Sequence, residues 1–303
     1  MRHLTGVAGR AVLTVIAPLL WSSNAIKAQV QVRQISNISS QHSYFVIPHE
    51  DDWQLFMGDV VVQTLKSGTP VTFIYLTAGD DGRDSSYWLT RERAAITSMR
   101  LATEPSIVAS DSVRCEPDTT RAHIIRKCEF RTTSSYFLRL PDGRRDGAGF
   151  ARYGHQSMRR LRSKKSNSVA AVDGSTAYES WDDLVRTVSS LIDSARVNQA
   201  LVHTMDPNMA VNPHDHFDHR MAGRLVTDLR KRRGLDVRYY VGYALSMRAP
   251  NRTNDQVRQK TAVFLAYDQE MMRANKQWST YREHPAFYSE CMLRTYARML
   301  RAH

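Results

Sequence analysis

Cysteine, glycine, proline and long apolar stretches are all scarce in this 303-residue chain, and each scarcity excludes a class of protein. Three cysteines are too few for a disulfide scaffold, and without a Cys-x-x-Cys pair there is no structural zinc finger. Fourteen glycines and ten prolines, with no repeat period and no biased tract, exclude collagen-like, solenoid and wholly disordered chains. The His-Glu-x-x-His helix of the zincin peptidases is missing. The longest apolar run, residues 11–21, is about half of the roughly 20 residues that a membrane-spanning helix needs. Acidic residues fall short of basic ones, 30 against 42, a charge of +12 that bears on partners and not on fold.

What remains is a balance of 42% hydrophobic and 24% charged residues, enough for one large α/β domain or two small ones. The start is set apart from it. Arg2 and Arg10 precede the apolar run, and small and polar residues follow up to Ala28, the pattern of a secretory signal peptide. Cleavage after Ala25 and cleavage after Ala28 both satisfy it. The expectation is an exported protein, periplasmic or secreted, with no transmembrane anchor. Residues 1–28 are then the leader and 29–303 the mature domain, with a core at about 43–245 and a helical C-terminal part at 254–303. Losing the leader leaves 39 basic against 30 acidic residues, still +9. The basic residues are scattered and lack interleaved aromatics, so no nucleic acid is expected as partner. An acidic glycan or anionic envelope surface suits an exported protein, and a solvated basic surface is the plain alternative. Cys115 and Cys128 flank the polar stretch Glu116-Pro117-Asp118 and can close a hairpin-like loop; Cys291 reads as a buried free thiol in a helix over 288–300.

Apolar β-rich runs predict strands at 43–48, 71–77, 106–110, 200–204 and 237–242. Apolar residues at helical spacing predict helices over 53–66, 87–102, 181–195, 219–233 and 255–273. The stretch 111–168 reads as a loop-rich insertion or flap. Strand followed by helix, repeated, predicts a mainly parallel sheet with helices on both faces, and such sheets bind ligands beyond the carboxyl ends of their strands. Three loops meet at that rim: 49–52, 78–83 and 206–219.

Two of these loops carry imidazoles and carboxylates, the donors that suit zinc. The first reads His49-Glu50-Asp51-Asp52 and the second His214-Asp215-His216-Phe217-Asp218-His219. A three-ligand site drawing on His49, Asp52 and His219 leaves a fourth position for water. Asp51 is then the candidate base, and His216 the candidate acid or oxyanion partner. Each cluster alone also reads as a solvated turn, with Asp51 or Asp52 capping one helix and Asp218 the other. Their joint position after strands favours the metal site.

With those residues in place, the chain resembles the PIG-L/LmbE superfamily of zinc-dependent N-acetylglucosaminyl deacetylases, in its exported bacterial form. The family's His-Pro-Asp-Asp motif is met by His49-Glu50-Asp51-Asp52, and its His-x-Asp-His motif by His216-Phe217-Asp218-His219. Leu76-Thr77-Ala78-Gly79-Asp80, Arg91-Glu92-Arg93 and Leu140-Pro141-Asp142-Gly143 support the match, which covers most of residues 43–245. The resemblance implies a Rossmann-like fold and hydrolysis of the acetamide of a GlcNAc-type sugar or glycan. It implies zinc on His49, Asp52 and His219, Asp51 as base, His216 as the group stabilising the tetrahedral intermediate, and Asp218 as its orienting neighbour. Arg91 matches a substrate-contacting arginine, and Gly79, Asp80 and Arg83 sit in the loop that shapes the substrate pocket. Glu50 replaces the family's proline. A metal-dependent amidase or peptidase on a non-sugar amide, and a non-catalytic carbohydrate-binding protein, are the competing readings.

Overall fold

A computed structural model describes residues 41–104, 112–193 and 199–302. The expected leader, the strand at 106–110 and the end of the 181–195 helix lie outside the described residues.

The strands β1 (Gln41–Ile47), β2 (Val71–Thr77), β5 (Thr133–Leu140), β8 (Gln199–Met205) and β9 (Asp236–Tyr240) form a parallel core in the order β9-β8-β1-β2-β5. Antiparallel strands complete its edges: β10 (Ala297–Leu300) beside β9, and β4 (His123–Phe130) then β3 (Arg114–Thr120) beside β5. A small separate ribbon pairs β6 (Val169–Ala170) with β7 (Ala177–Tyr178). The fold is therefore α/β, as the alternation of strands and helices implies.

Period-two alternation along the buried strands sends side chains to two cores, which is why these strands read as continuous apolar runs. Phe45, Phe73, Tyr75 and Phe137 pack on one face, against the helices α1 (Asp52–Lys66), α2 (Ser85–Thr103) and α6 (Asn254–Ala274). Tyr44, Val46, Ile74 and Leu138 pack on the other, against α3 (Met158–Arg162), α4 (Trp181–Asp193) and α5 (Phe217–Arg233). Local caps mark several of the helix termini. Asp84 accepts the Ser86 N–H at the start of α2, a Thr253–Gln256 capping box opens α6, and Gly234, left-handed at φ 65, closes α5.

Two expectations need correction. The stretch 111–168 is not all loop, because its first part forms β3, β4 and β5. The β3–β4 connection is made by Arg121 and Ala122, left-handed at φ 50 and 66, so this two-residue hairpin turn carries none of the Gly, Asn or Asp that normally advertises one. Glu116-Pro117-Asp118 lies within the edge strand β3 and not in a turn; an edge position tolerates the missing proline N–H. Cys115 and Cys128 face one another across the hairpin, Cα atoms 4.1 Å apart, and are disulfide-bonded. The second correction concerns the end of the chain. After two short helices, α7 (Thr280–Glu283) and α8 (Pro285–Met292), residues 297–300 form β10, where the Arg298 guanidinium grips the fully buried Asp206 carboxylate at 2.5 and 3.0 Å. Cys291 is a buried free thiol at the end of α8.

From β1 the chain steps outward through β2 and β5 on one side, and β8 and β9 lie on the other. The β1 and β8 loops therefore flank the topological switch point, the crevice where such sheets place ligands. The expected three loops meet there, joined by a fourth, residues 141–143, after β5.

Candidate metal centre

His49 follows β1 with Pro48 between, and its backbone N–H donates to Asp52 Oδ2 at 2.8 Å, which curls the loop into the first turn of α1. Asp52 in turn lies between two imidazoles. Its Oδ2 is 3.1 Å from His49 Nδ1 and its Oδ1 is 3.1 Å from His219 Nε2. His219 is set on the first turn of α5, with His216 as the N-cap that receives the Asp218 N–H. All five of these side chains are buried or nearly so.

Two atoms decide what the cluster is for. His49 Nε2 and His219 Nε2 are both buried and make no well-formed hydrogen bond, but each faces carboxylate oxygens: Asp52 Oδ1 at 3.1 Å from His219, and Asp218 and Asp142 at 3.5 and 3.6 Å from His49. A buried imidazole nitrogen without a well-formed hydrogen bond is costly unless something outside the protein's own atoms completes it. His219 Nδ1 is meanwhile tied to Asp215 Oδ1 at 3.0 Å, the outer carboxylate that commonly orients a metal-binding histidine and leaves its Nε2 lone pair free. The donor set of His49, Asp52 and His219 fits a divalent transition metal with an open position.

Among the described residues a second group, His49, Asp142, His216 and Asp218, also lies within metal-holding distance. Three of its atoms have other occupations, while Asp218 Oδ1 is buried without a hydrogen bond. Asp218 Oδ2 accepts the Gly143 N–H at 2.7 Å, Asp142 Oδ1 accepts the Arg144 N–H at 2.7 Å, and His216 Nδ1 accepts the Asp218 N–H at 3.2 Å. This group reads as the wall of the site.

The electrostatics follow from burying so many charges together. Burial favours the neutral forms of His49 and His219, but the adjacent carboxylates outweigh it. Asp52 holds His49 well above its ordinary value, and Asp215 and Asp52 lift His219 to about 10. Burial would raise Asp52, and the charges of His219 and His49 reverse that and hold it well below the carboxylate range. Asp142 is pushed up to about 7 by burial and by the charges of Asp218 and Asp80, against the opposing pull of His49. His216 is pushed down to about 3 by burial and by the charge on His49, which favours its neutral form. Because its Nδ1 accepts a hydrogen bond, its proton sits on Nε2.

The cluster opens into a cavity of about 430 Å³ lined by His49, Asp51, Asp52, His216, Gly79 and Arg91, among others. Residues 44–229 match the GlcNAc-PI de-N-acetylase family, PIG-L. The chain belongs to this family. The PIG-L assignment places it among metal-dependent N-deacetylases of N-acetylated sugars. No curated protein sequence matches the chain. Solved structures are similar at low identity, among them three deacetylases. N,N'-diacetylchitobiose deacetylase from Pyrococcus horikoshii is 14% identical, with a TM-score of 0.48 over 95% of each chain. A deacetylase of the teicoplanin biosynthetic pathway is 13% identical, with a TM-score of 0.48 over 82% of this chain and 88% of that one. A pseudoaglycone deacetylase is 14% identical, with a TM-score of 0.49 over 87% of this chain and 99% of that one.

Of the residues expected to touch substrate, Gly79 in the β2 loop and Arg91 on α2 line the cavity. Asp80 and Arg83 do not. Asp80 is fully buried, and its carboxylate accepts the N–H groups of Gly82 at 2.8 Å and Asp142 at 2.7 Å, so it ties the β2 loop to the β5 loop. Arg83 lies over the Tyr87 ring at 4.3 Å and pairs with Asp81. Arg91 reaches inward, and its guanidinium donates to Glu50 at 3.0 Å and to Asp51 at 2.6 Å.

Sequence reasoning missed Asp215 and Tyr243 as parts of the site. Asp142-Gly143 reads as turn chemistry first and as the floor of a substrate site second. Asp215 was overlooked inside a His/Asp-rich loop, where four residues before His219 was a usable spacing. Tyr243, whose ring stands edge-on to His219 at 5.0 Å, lies beyond the family match in a stretch without any motif.

Proposed function

We propose that this PIG-L family member removes the acetyl group from a GlcNAc-type N-acetylated sugar or glycan, with zinc as its metal. The observation that carries this is the buried cluster in which Asp52 lies 3.1 Å from both His49 Nδ1 and His219 Nε2, one residue from a carboxylate that lines the cavity. His49, Asp52 and His219 would hold the metal. Zinc in such a site polarises the acetyl carbonyl and lowers the pKa of a water to about 7.

The chain's own groups do the rest. Asp51 takes the proton of the attacking water. The His216 Nε2–H donates to the carbonyl oxygen as negative charge builds on it, a neutral donor already aimed before reaction and worth ~3 kcal/mol by analogy with other oxyanion donors. Asp218 fixes the tautomer, since its backbone N–H occupies His216 Nδ1. The C–N bond then breaks, and the proton held by Asp51 passes to the departing nitrogen, giving acetate and a free amine.

Two further features refine the reading. Arg144 and Arg145 stand on the cavity wall, which supports a substrate with an anionic substituent. The Cys115–Cys128 disulfide, together with the leader pattern, supports export to an oxidising compartment, periplasmic or extracellular. No helix of the described residues is long and apolar enough to cross a membrane. The test is zinc content together with acetate release from a panel of neutral and anionic N-acetylated sugars. One zinc per chain with acetate released supports the reading, and zinc without acetate from any sugar overturns the substrate class.

A further inference from the structure

Glu50 is fully buried, in a position where a proline would offer no side-chain acceptor. Its Oε2 accepts from Arg91 Nε at 3.0 Å, and Arg91 Nη2 donates to Asp51 Oδ1 at 2.6 Å. One planar guanidinium therefore ties together the carboxylates of two consecutive residues. Arg91 is the sole hydrogen-bond donor to the Asp51 side chain among the described residues, which leaves Oδ2 without a protein partner while Asp51 lines the cavity.

The surroundings are shaped to this pair. Gly79 is left-handed at φ +51, and a Cβ there would stand 2.6 Å from Glu50 Oε2 and 2.7 Å from Arg91 Nε. The Arg91 guanidinium also lies 5.9 Å from the rings of both Tyr87 and Tyr267, which limits where it can swing. A guanidinium fork held at two points has a defined plane, whereas one held at a single point rotates about that bond. Burying a guanidinium and a carboxyl group together costs desolvation energy that their attraction recovers only with good geometry, so the pair is poorly explained by stability alone.

We propose that Glu50 is a positioning residue: it locks the Arg91 guanidinium so that Arg91 holds Asp51 Oδ1 and Oδ2 alone meets the attacking water. This rests on Asp51 acting as the base. It also gives Arg91 a task other than contacting substrate, because its Nε and Nη2 are committed to protein carboxylates.

The experiment uses the zinc-loaded full chain and its Glu50→Ala, Glu50→Gln, Arg91→Lys and Glu50→Ala/Arg91→Lys variants. Acetate release is measured beside zinc content, melting temperature and the affinity for acetohydroxamate, a metal-binding inhibitor whose hydroxyl proton must pass to a base. Glu50→Ala is expected to lower kcat about 10- to 100-fold, with KM within about twofold and zinc retained. Glu50→Gln keeps an acceptor for Arg91 Nε and recovers most of that loss. Arg91→Lys matches Glu50→Ala, and the double variant is no worse than either, because the two act as one unit. Acetohydroxamate affinity falls in step with kcat. Full kcat in Glu50→Ala, a loss expressed in KM, loss of zinc, or multiplicative losses in the double variant would each overturn the proposal. A wild type that binds zinc and releases no acetate would instead overturn the deacetylase reading, and the acetohydroxamate series would still decide the role of Glu50.

Discussion

Asp215 Oδ1 lies 3.0 Å from His219 Nδ1, on the opposite side of the ring from the buried Nε2 that faces Asp52 Oδ1 at 3.1 Å. That carboxylate also accepts the Tyr243 N–H at 3.2 Å, so one side chain links the β8 loop to the segment after β9 and fixes the imidazole plane. Replacing Asp215 by Asn is expected to weaken zinc about 10- to 100-fold without unfolding the protein. Competition with a chelator of known affinity measures this, and unchanged affinity would remove Asp215 from the metal's support.

Asp51 and His219 should fail in different ways. Asp51→Asn is expected to keep one zinc per chain and lose 10²- to 10⁴-fold in kcat, the usual contribution of a general base. His219→Ala should lose the metal and the turnover together. Metal analysis and acetate release on the same samples separate the two, and an Asp51→Asn enzyme with wild-type turnover would overturn the assignment of the base.

Gly143 matters through space and not through its backbone angles. A Cβ at this position would stand 2.5 Å from Asp218 Oδ1, and Asp218 Oδ2 already holds the Gly143 N–H. Gly143→Ala should displace Asp218 and, through its backbone N–H, His216. The expected result is a fall in kcat with zinc still bound; a fully active Gly143→Ala enzyme would show that Asp218 can move freely.

Acid sensitivity should have a contribution remote from the metal. His203 is buried, stacked on Phe45 at 4.2 Å with its Nδ1 2.9 Å from Tyr240 Oη, and burial, aided by the charge of Arg238, pushes it down to about 3. Above pH 6.5 it is neutral whether folded or unfolded, and its contribution is complete. As pH falls from 6.5 towards 3 the unfolded chain takes up the proton first, so stability is lost across that window. Denaturant unfolding of wild type and His203→Gln at pH 7 and pH 4.5 tests this, and the variant should lose less stability between the two.

The hairpin disulfide is a stability element away from the chemistry. Cys115 and Cys128 are 13 residues apart, and a loop of that size is typically worth ~3 kcal/mol. Replacing both by serine should lower the melting temperature and leave kcat per folded molecule unchanged. A variant as stable as the wild type would mean that β3 and β4 hold together without the bond.

By itself the sequence determined the alternation of elements and the chemistry. Buried parallel strands must be apolar on both faces, so runs such as Val71–Thr77 stand out, and helix starts and stops are local, written in caps such as Thr253 and Gly234. His49, Asp51, Asp52, His216 and His219 belong to short contiguous motifs, and their spacing survives in one dimension. The tertiary structure alone decided the rest. It turned Arg121 and Ala122 into a hairpin turn without turn residues, because pairing with β5 and the disulfide over-rule local preference. It brought Asp142, Asp215 and Tyr243 against the histidines from three separate loops, and it moved Asp80 from the pocket into a buried clamp. It also paired Glu50 with Arg91 across 41 positions of sequence. Such contacts depend on which loops a parallel sheet gathers at its switch point, and no local pattern records that distance.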